Sequence, residues 1–293
     1  MMTIDMAAYE RDHPTWCPGC GDFGVLKALQ KALANLRIAP YETVLVSGIG
    51  CSGKITTYFG GYGLHTTHGR TLPAATGIKM ANRALTVIAA GGDGDGYGIG
   101  VGHLIHACRR NIDVTYIVMD NGVYGNTKGQ TAPTSPLGFA SSSTPYGSID
   151  VPIAPLALAV ASGATYVAQA VSSQVDLLAG LVEGGIKHPG FSLINVFSPC
   201  VTYDKARTYR WWKDHIRLAE DIGHDPHDFT QAVALLNRED LQPVGLIFQK
   251  DSPPLFERLP QFPVSPLVSL PPIAEDPYRV FSRYFEPYPA YTQ

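Results

Sequence analysis

The residues whose types and spacing most suggest chemistry are Gly92-Asp93-Gly94-Asp95-Gly96 and, 28 residues after Asp93, the pair Asn121-Gly122. A carboxylate, an amide oxygen and the main-chain carbonyl of Val123 make a hard donor set for Mg²⁺, which keeps few protein oxygens and takes others from phosphates. Glycines leave main-chain N–H groups open at the start of the helix that follows, and the positive end of that helix favours a diphosphate. The bland account is a Gly-rich strand-to-helix turn plus an ordinary Asn-Gly turn. A second set is sulfur. Cys17-Pro18-Gly19-Cys20 is a C-x₂-C pair, and Cys51 and Cys200 each follow an apolar run, 149 residues apart. Four thiolates suit a [4Fe–4S] cluster or structural Zn²⁺. Alternatively, the C-x₂-C pair is a redox dithiol, or all are small buried thiols. Zinc sites usually join two C-x₂-C pairs close in sequence, so this spacing favours the cluster. Cys108 reads as filler inside a helix.

These residues need elements to bring them together. Residues 22–36 read as an amphipathic helix, with Leu26, Leu29, Leu33 and Leu36 at spacings of three and four and Asp22 as N-cap. Residues 43–47, 85–90, 113–119, 165–170, 191–197 and 244–248 read as strands. Residues 73–82, 97–110, 154–161, 174–187 and 211–237 read as helices, with Pro73 in the first turn of one of them. This alternation predicts an α/β fold, doubly wound, with a mostly parallel sheet. In its βαβ unit, Asp93 and Asn121 each end a strand on the same sheet edge, where ligands bind, and Cys51 and Cys200 share that edge. From Lys250 onward there are ten prolines in 44 residues, which excludes a regular helix or central strand. The expected organisation is a domain over 1–249 and an extended Pro-rich arm over 250–293.

Gly48-Ile49-Gly50-Cys51-Ser52-Gly53 matches the dinucleotide fingerprint, but no Asp or Glu occurs from Cys51 through Gly92 to hold a ribose. The same window carries Lys54, His65, His68, Arg70, Lys79 and Arg83, which suits an anionic ligand instead. Lys54 and His68 lie in Gly-rich loops at the functional edge, whereas Lys79 and Arg83 read as solvated surface charges. The 22 basic and 25 acidic residues give 22 − 25 = −3, which argues against a nucleic-acid scaffold. Charged residues are only 16%, against about 25% in an average soluble protein, which points to a surface covered by another chain. Neither a signal peptide nor a membrane span is expected, so the chain reads as cytoplasmic.

The set WCPGCGDFG (16–24), GIGCSGK (48–54), HTTHGRTLPAATGIKMAN (65–82), GGDGDGYGIG (91–100), MDNGVYGNTKGQ (119–130) and FSPCVTY (197–203) resembles the beta subunit of 2-oxoacid:ferredoxin oxidoreductases. The GDG and Asn pattern is similar to the thiamine diphosphate motif, so the resemblance implies the pyrophosphate-domain type of sheet. It implies Mg²⁺ on Asp93, Asn121 and Val123, and thiamine diphosphate lined by Ile49, Gly50, Cys51, Ser52, Gly94, Asp95, Gly125 and Asn126. It further implies a [4Fe–4S] cluster on Cys17, Cys20, Cys51 and Cys200, with Lys54 in substrate handling; His68, from its own place in a Gly-rich loop at the functional edge, is the second catalytic candidate. The implied reaction is oxidative decarboxylation of a 2-oxoacid with coenzyme A to acyl-CoA and CO₂, reducing ferredoxin, or its reverse. WCPGCGDFG looks most like the 2-oxoglutarate-using members; the alternative is a pyruvate or broad-range enzyme. A separate alpha subunit is implied to supply a Glu and much of the substrate site, in an αβ or (αβ)₂ assembly. More distant readings are a non-redox thiamine lyase, an iron–sulfur electron carrier and a nicotinamide dehydrogenase.

Overall fold

Five of the short apolar runs become strands with little or no surface, and that burial dictates the architecture. Strands covered on both faces must be uniformly apolar, as parallel strands between two helical layers are. The computed structural model describes residues 4–254 and 265–270. The strands are β1 (Thr43–Ser47), β2 (Tyr62–His65), β3 (Thr86–Gly92), β4 (Thr115–Asp120), a short pair β5 (Val123–Tyr124) and β6 (Gln130–Thr131), then β7 (Tyr166–Val171), β8 (Ser192–Phe197), β9 (Ile216–Leu218) and β10 (Gln242–Gln249). Eight of them form one sheet in the order β2-β1-β3-β4-β8-β7-β10-β9. Every neighbouring pair is parallel except β7 with β10.

The helices are α1 (Asp22–Leu36), α2 (Ile55–Tyr58), α3 (Thr71–Ala81), α4 (Val101–Arg110), α5 (Pro155–Ala161), α6 (Val175–Lys187), α7 (Tyr209–His215) and α8 (Phe229–Leu236). Successive strand residues point to opposite faces. Leu45, Ile88, Ile117 and Ile194 accordingly pack with Leu26, Leu29 and Leu33 of α1 and Leu178 and Val182 of α6. Val44, Val87, Tyr116 and Leu193 pack with Leu72 of α3, Leu104 and Cys108 of α4, Leu156 of α5 and Leu235 of α8. Two apolar layers on the two faces make the sheet doubly wound, as the alternation predicts, with Cys108 a buried filler.

Several details differ from the sequence reading. Asp22 is the first helical residue rather than the cap; its carboxylate is buried and accepts a 2.6 Å hydrogen bond from Ser198 Oγ. The helix expected from residue 97 begins at Gly94 as a π-turn over Gly94–Ile99, closed by Gly100 N–H donating to Asp95 O at 3.0 Å. π-turns of this kind recur at functional sites. The helix expected over 211–237 is split, because Ile216–Leu218 pairs with β10 and left-handed Gly223 (φ 71°) turns the chain before α8. Lys79 is not solvated: it is buried, 2.7 Å from Asp113 Oδ2 and 2.9 Å from Leu85 O. Edge strand β2 is exposed along its length, so it lacks the apolar signature that marks the central strands. Most of the expected arm lies outside the described residues; its start is held by Asn111 Nδ2, which donates to the carbonyls of Ser252 and Pro253. Among the described residues no helix is long and apolar enough to cross a membrane.

Helix α1 approaches the sheet so closely that a Cβ on Gly24 would stand 2.0 Å from the carbonyl oxygen of Ser172. Gly24→Ala is therefore expected to lower unfolding free energy by about 1–3 kcal/mol through overpacking. Urea denaturation measures this, and an unchanged midpoint would show that the contact is absent.

Candidate cofactor and metal site

The register of the parallel strands decides which loops meet. Ser47 of β1 lies beside Ala90 of β3, Gly92 of β3 beside Met119 of β4, and Asp120 of β4 beside Phe197 of β8. Gly48–Gly53, Asp93, Asn121 and Ser198–Cys200 consequently leave the sheet along one rim. Ile49, Gly50, Cys51, Ser52, His68, Asp93, Gly94, Asp95, Asn121, Val123, Gly125 and Asn126 line a cleft of about 110 Å³ there. Lys54 is not among the lining residues. It stands just beyond Cys51, whose thiol its charge stabilises in the ionised form.

Asp93 is buried. Its Oδ2 accepts from Thr134 Oγ1 at 2.6 Å, and its Oδ1 from Asn121 N–H at a long 3.4 Å. Burial, with the nearby Asp120 carboxylate, pushes Asp93 up to about 7, against the opposing bonds from Thr134 and Asn121. A divalent cation on Oδ1 would compensate that buried charge, so the donor chemistry fits Mg²⁺. The Asn121 side-chain oxygen accepts from Val123 N–H at 3.0 Å and keeps a second lone pair. Gly50, left-handed at φ 106°, has nothing within 4 Å of a notional Cβ, so an open cradle lies against its backbone.

Asp95 is a tie between loops. Its Oδ1 accepts from Ile49 N–H (2.9 Å), Gly69 N–H (2.8 Å) and His68 Nδ1 (2.9 Å), and its Oδ2 accepts from Thr71 Oγ1 (3.2 Å). With the carboxylate so occupied, its backbone is the part left for a ligand. His68 is oriented through Nδ1, which leaves Nε2 as its free ring nitrogen.

The cysteine segments are stitched together. Trp16 Nε1 donates to Cys51 O at 2.7 Å, Cys20 N–H to Cys17 O at 2.9 Å, and Gly21 N–H to Pro199 O at 3.3 Å. The sulfurs of Cys200 and Cys51 lie 3.7 and 3.8 Å from where a Cβ of Gly125 would be. Burial raises the Cys20 thiol pKa, and the charges of Asp22, Cys51 and Cys200 add to it. Cys51 is raised first by burial and then by Asp22. Such thiols ionise readily only beside a cationic centre, which fits a metal cluster as partner. Among the described residues, no three His, Cys, Asp or Glu side chains close on one point as a single ion would require.

Three residues escaped sequence reasoning. Asp120 and Thr134 contact each other at 2.9 Å, and Tyr124 donates from Oη to Gly94 O at 3.2 Å. Asp120 carried a signal, an acid adjoining Asn121 at a strand end. Thr134 carried none, because its loop has no periodicity.

Similarity to known proteins places the chain in a family. Residues 48–196 match the family described as thiamine pyrophosphate enzyme, C-terminal TPP binding domain, and residues 200–263 match the family of the C-terminal part of the pyruvate ferredoxin oxidoreductase beta subunit. The chain is 43% identical over 266 residues to 2-oxoacid:ferredoxin oxidoreductase subunit beta of Saccharolobus solfataricus, covering 86% of this chain and 87% of the relative. It belongs to the beta subunits of 2-oxoacid:ferredoxin oxidoreductases. Among these beta subunits, 2-oxoglutarate synthase subunit KorB of Archaeoglobus fulgidus is 41% identical over 230 residues, 76% of this chain and 86% of that one. The solved 2-oxoglutarate:ferredoxin oxidoreductase from Magnetococcus marinus, with 2-oxoglutarate, coenzyme A and succinyl-CoA bound, superimposes with a TM-score of 0.86 at 37% identity over 97% of each chain.

Without a cation, Asp93 holds a proton that the unfolded chain has already released, and Asp22, raised by burial to about 6, acts in the same sense. Stability of the metal-free protein is thus expected to fall as pH rises from about 4 to about 7, by roughly 1–4 kcal/mol from Asp93. Urea denaturation at pH 5 and pH 8 measures the slope. Asp93→Asn should make the slope shallower and leave the part that Asp22 contributes, and a slope of opposite sign would contradict the reading.

Proposed function

We propose that this beta chain holds the thiamine diphosphate, Mg²⁺ and [4Fe–4S] sites of an enzyme converting a 2-oxoacid and coenzyme A to acyl-CoA and CO₂, with ferredoxin as electron acceptor. The observation that carries the proposal is at Gly125: it lines the cleft and is flanked by the sulfurs of Cys51 and Cys200, and Cys51 itself lines the cleft. The cysteine sulfurs therefore border the cleft in which the carbon chemistry is proposed. 2-Oxoglutarate is the favoured substrate, supported by the KorB relatives and the 2-oxoglutarate-bound structural neighbour. The same machinery serves the reverse carboxylation.

Asp93 Oδ1, the Asn121 side-chain oxygen and the Val123 carbonyl would hold Mg²⁺. Main-chain N–H groups at Gly94 and Asp95, with the Ile49–Ser52 loop and the Gly125–Asn126 turn, would hold the diphosphate. Cys17, Cys20, Cys51 and Cys200 would hold the cluster. When bound, thiamine diphosphate supplies an electron sink for decarboxylation, and the cluster takes up single electrons. Asp95 orients His68 so that Nε2 is available to a proton or carboxylate of the substrate. Lys54, a cation behind Cys51, counters negative charge at the thiols and at an incoming anion.

A cleft of about 110 Å³ is smaller than the roughly 300–1,000 Å³ typical of pockets that enclose a ligand. An alpha subunit is proposed to close the rest and supply the Glu, as αβ or (αβ)₂. The division into 1–249 and a Pro-rich arm of 250–293 is part of the same proposal, the arm contributing to that interface, as is a cytoplasmic setting.

Anaerobic co-purification with the alpha subunit should give brown protein with about four irons per beta chain and no zinc. It should reduce a viologen with 2-oxoglutarate and coenzyme A faster than with pyruvate. Asp93→Ala should abolish turnover with iron content intact, and Cys51→Ser should lose iron. Retained turnover in the first variant, at saturating thiamine diphosphate and Mg²⁺, would remove the Mg²⁺ assignment. Unchanged iron in the second would remove Cys51 from the ligands.

A further inference from the structure

The proposed Mg²⁺ ligand Asp93 has two carboxylate oxygens, and only one can serve the cation in a fixed geometry. A carboxylate's terminal torsion is broad and nearly two-fold, so the backbone alone does not choose between them. Thr134 Oγ1 makes that choice. It lies 2.6 Å from Asp93 Oδ2 and 2.9 Å from Asp120 Oδ1, with both carboxylates buried. A hydroxyl has one hydrogen, and the shorter contact marks Asp93 Oδ2 as its acceptor. Oδ1 is then left beside Asn121, and Asp93 is one of the residues that line the cleft.

The loop holding this hydroxyl is not free to drift. Ser135 Oγ donates to Gly122 O at 2.6 Å and accepts from Ala132 N–H at 2.7 Å, clamping the segment onto the Asn121-Gly122 turn. Asp120, on the far side, receives Asn195 Nδ2 at 3.5 Å. Asn195 is itself held in the sheet by Tyr97 Oη at 2.9 Å and by Gln169 Oε1 at 3.1 Å. A continuous polar chain therefore runs from the centre of the sheet to the outer oxygen of Asp93.

We infer that Thr134 is a positioning residue for the divalent cation: its hydroxyl donates to Asp93 Oδ2 and so presents Oδ1, with Asp120 packed 2.9 Å behind the hydroxyl oxygen. The inference rests on the Mg²⁺ reading above and goes beyond it, because Thr134 touches neither cation nor substrate. Loss of an outer partner of this kind typically costs about 10–100-fold in metal affinity.

Equilibrium dialysis of Mn²⁺ against the co-purified complex, with thiamine diphosphate saturating, tests it. Thr134→Val and Thr134→Ala should each weaken Mn²⁺ binding by about 10–100-fold with iron content unchanged. Thr134→Ser, which keeps the hydroxyl, should bind nearly as the parent does. The alanine variant serves if the valine variant does not fold. Parent-like Mn²⁺ affinity in either folded variant overturns the inference, whatever its melting temperature, as does weak binding by Thr134→Ser. Asp93→Asn separates the two readings. If it loses Mn²⁺ while Thr134→Val does not, the metal site stands and the role of Thr134 falls. If Asp93→Asn binds Mn²⁺ as the parent does, both fall.

Discussion

Parallel pairing in the middle of the sheet is the constraint on which this molecule depends. Once β1, β3, β4 and β8 hydrogen-bond side by side in one direction, the chain must leave all four at the same rim. Cys51, Asp93, Asn121 and Cys200 sit within a few residues of those exits, so residues 149 positions apart in sequence become neighbours. Helix α1 completes the arrangement. Packed on the sheet through Leu26, Leu29 and Leu33, it brings its N-terminal turn, and the Cys17–Cys20 loop before it, against Ser198 and Pro199.

The same convergence concentrates buried groups that resist ionisation when left to themselves. Asp93, Asp120, Asp22, Cys20 and Cys51 all have pKa values raised, with burial the leading cause. A rim built this way is electrostatically incomplete, and bound cations would complete it. The proposed Mg²⁺ and iron centres would therefore act as structural counter-ions as well as chemical agents. Asp95 answers the opposite need: by accepting from Ile49, Gly69, His68 and Thr71 it ties two loops to the π-turn without any metal.

How much could be read in advance followed from how local each signal was. The central strands and α1 were legible because burial on both faces or one stripe leaves a pattern in the residues themselves. The Gly-Asp-Gly turn and the cysteine pair stood out as candidates because few other residue types would serve in the proposed roles. Exposed β2 was not, since its contacts are to the backbone of β1. The π-turn was hidden because glycines permit it without announcing it. Thr134 was hidden because a hydroxyl in an irregular loop acquires meaning only when β3 and β4 place two carboxylates against it. The break after α7 likewise depends on pairing with β10, a partner distant in sequence.

The central claim is that the divalent cation and the iron cluster are adjacent, joined through Cys51 and Gly125. Electron paramagnetic resonance of the complex, with Mn²⁺ in place of Mg²⁺ and the cluster chemically reduced, measures that adjacency. The Mn²⁺ and cluster signals should broaden and relax faster together than either does alone. Spectra that simply add, with each centre unaware of the other, would contradict the account.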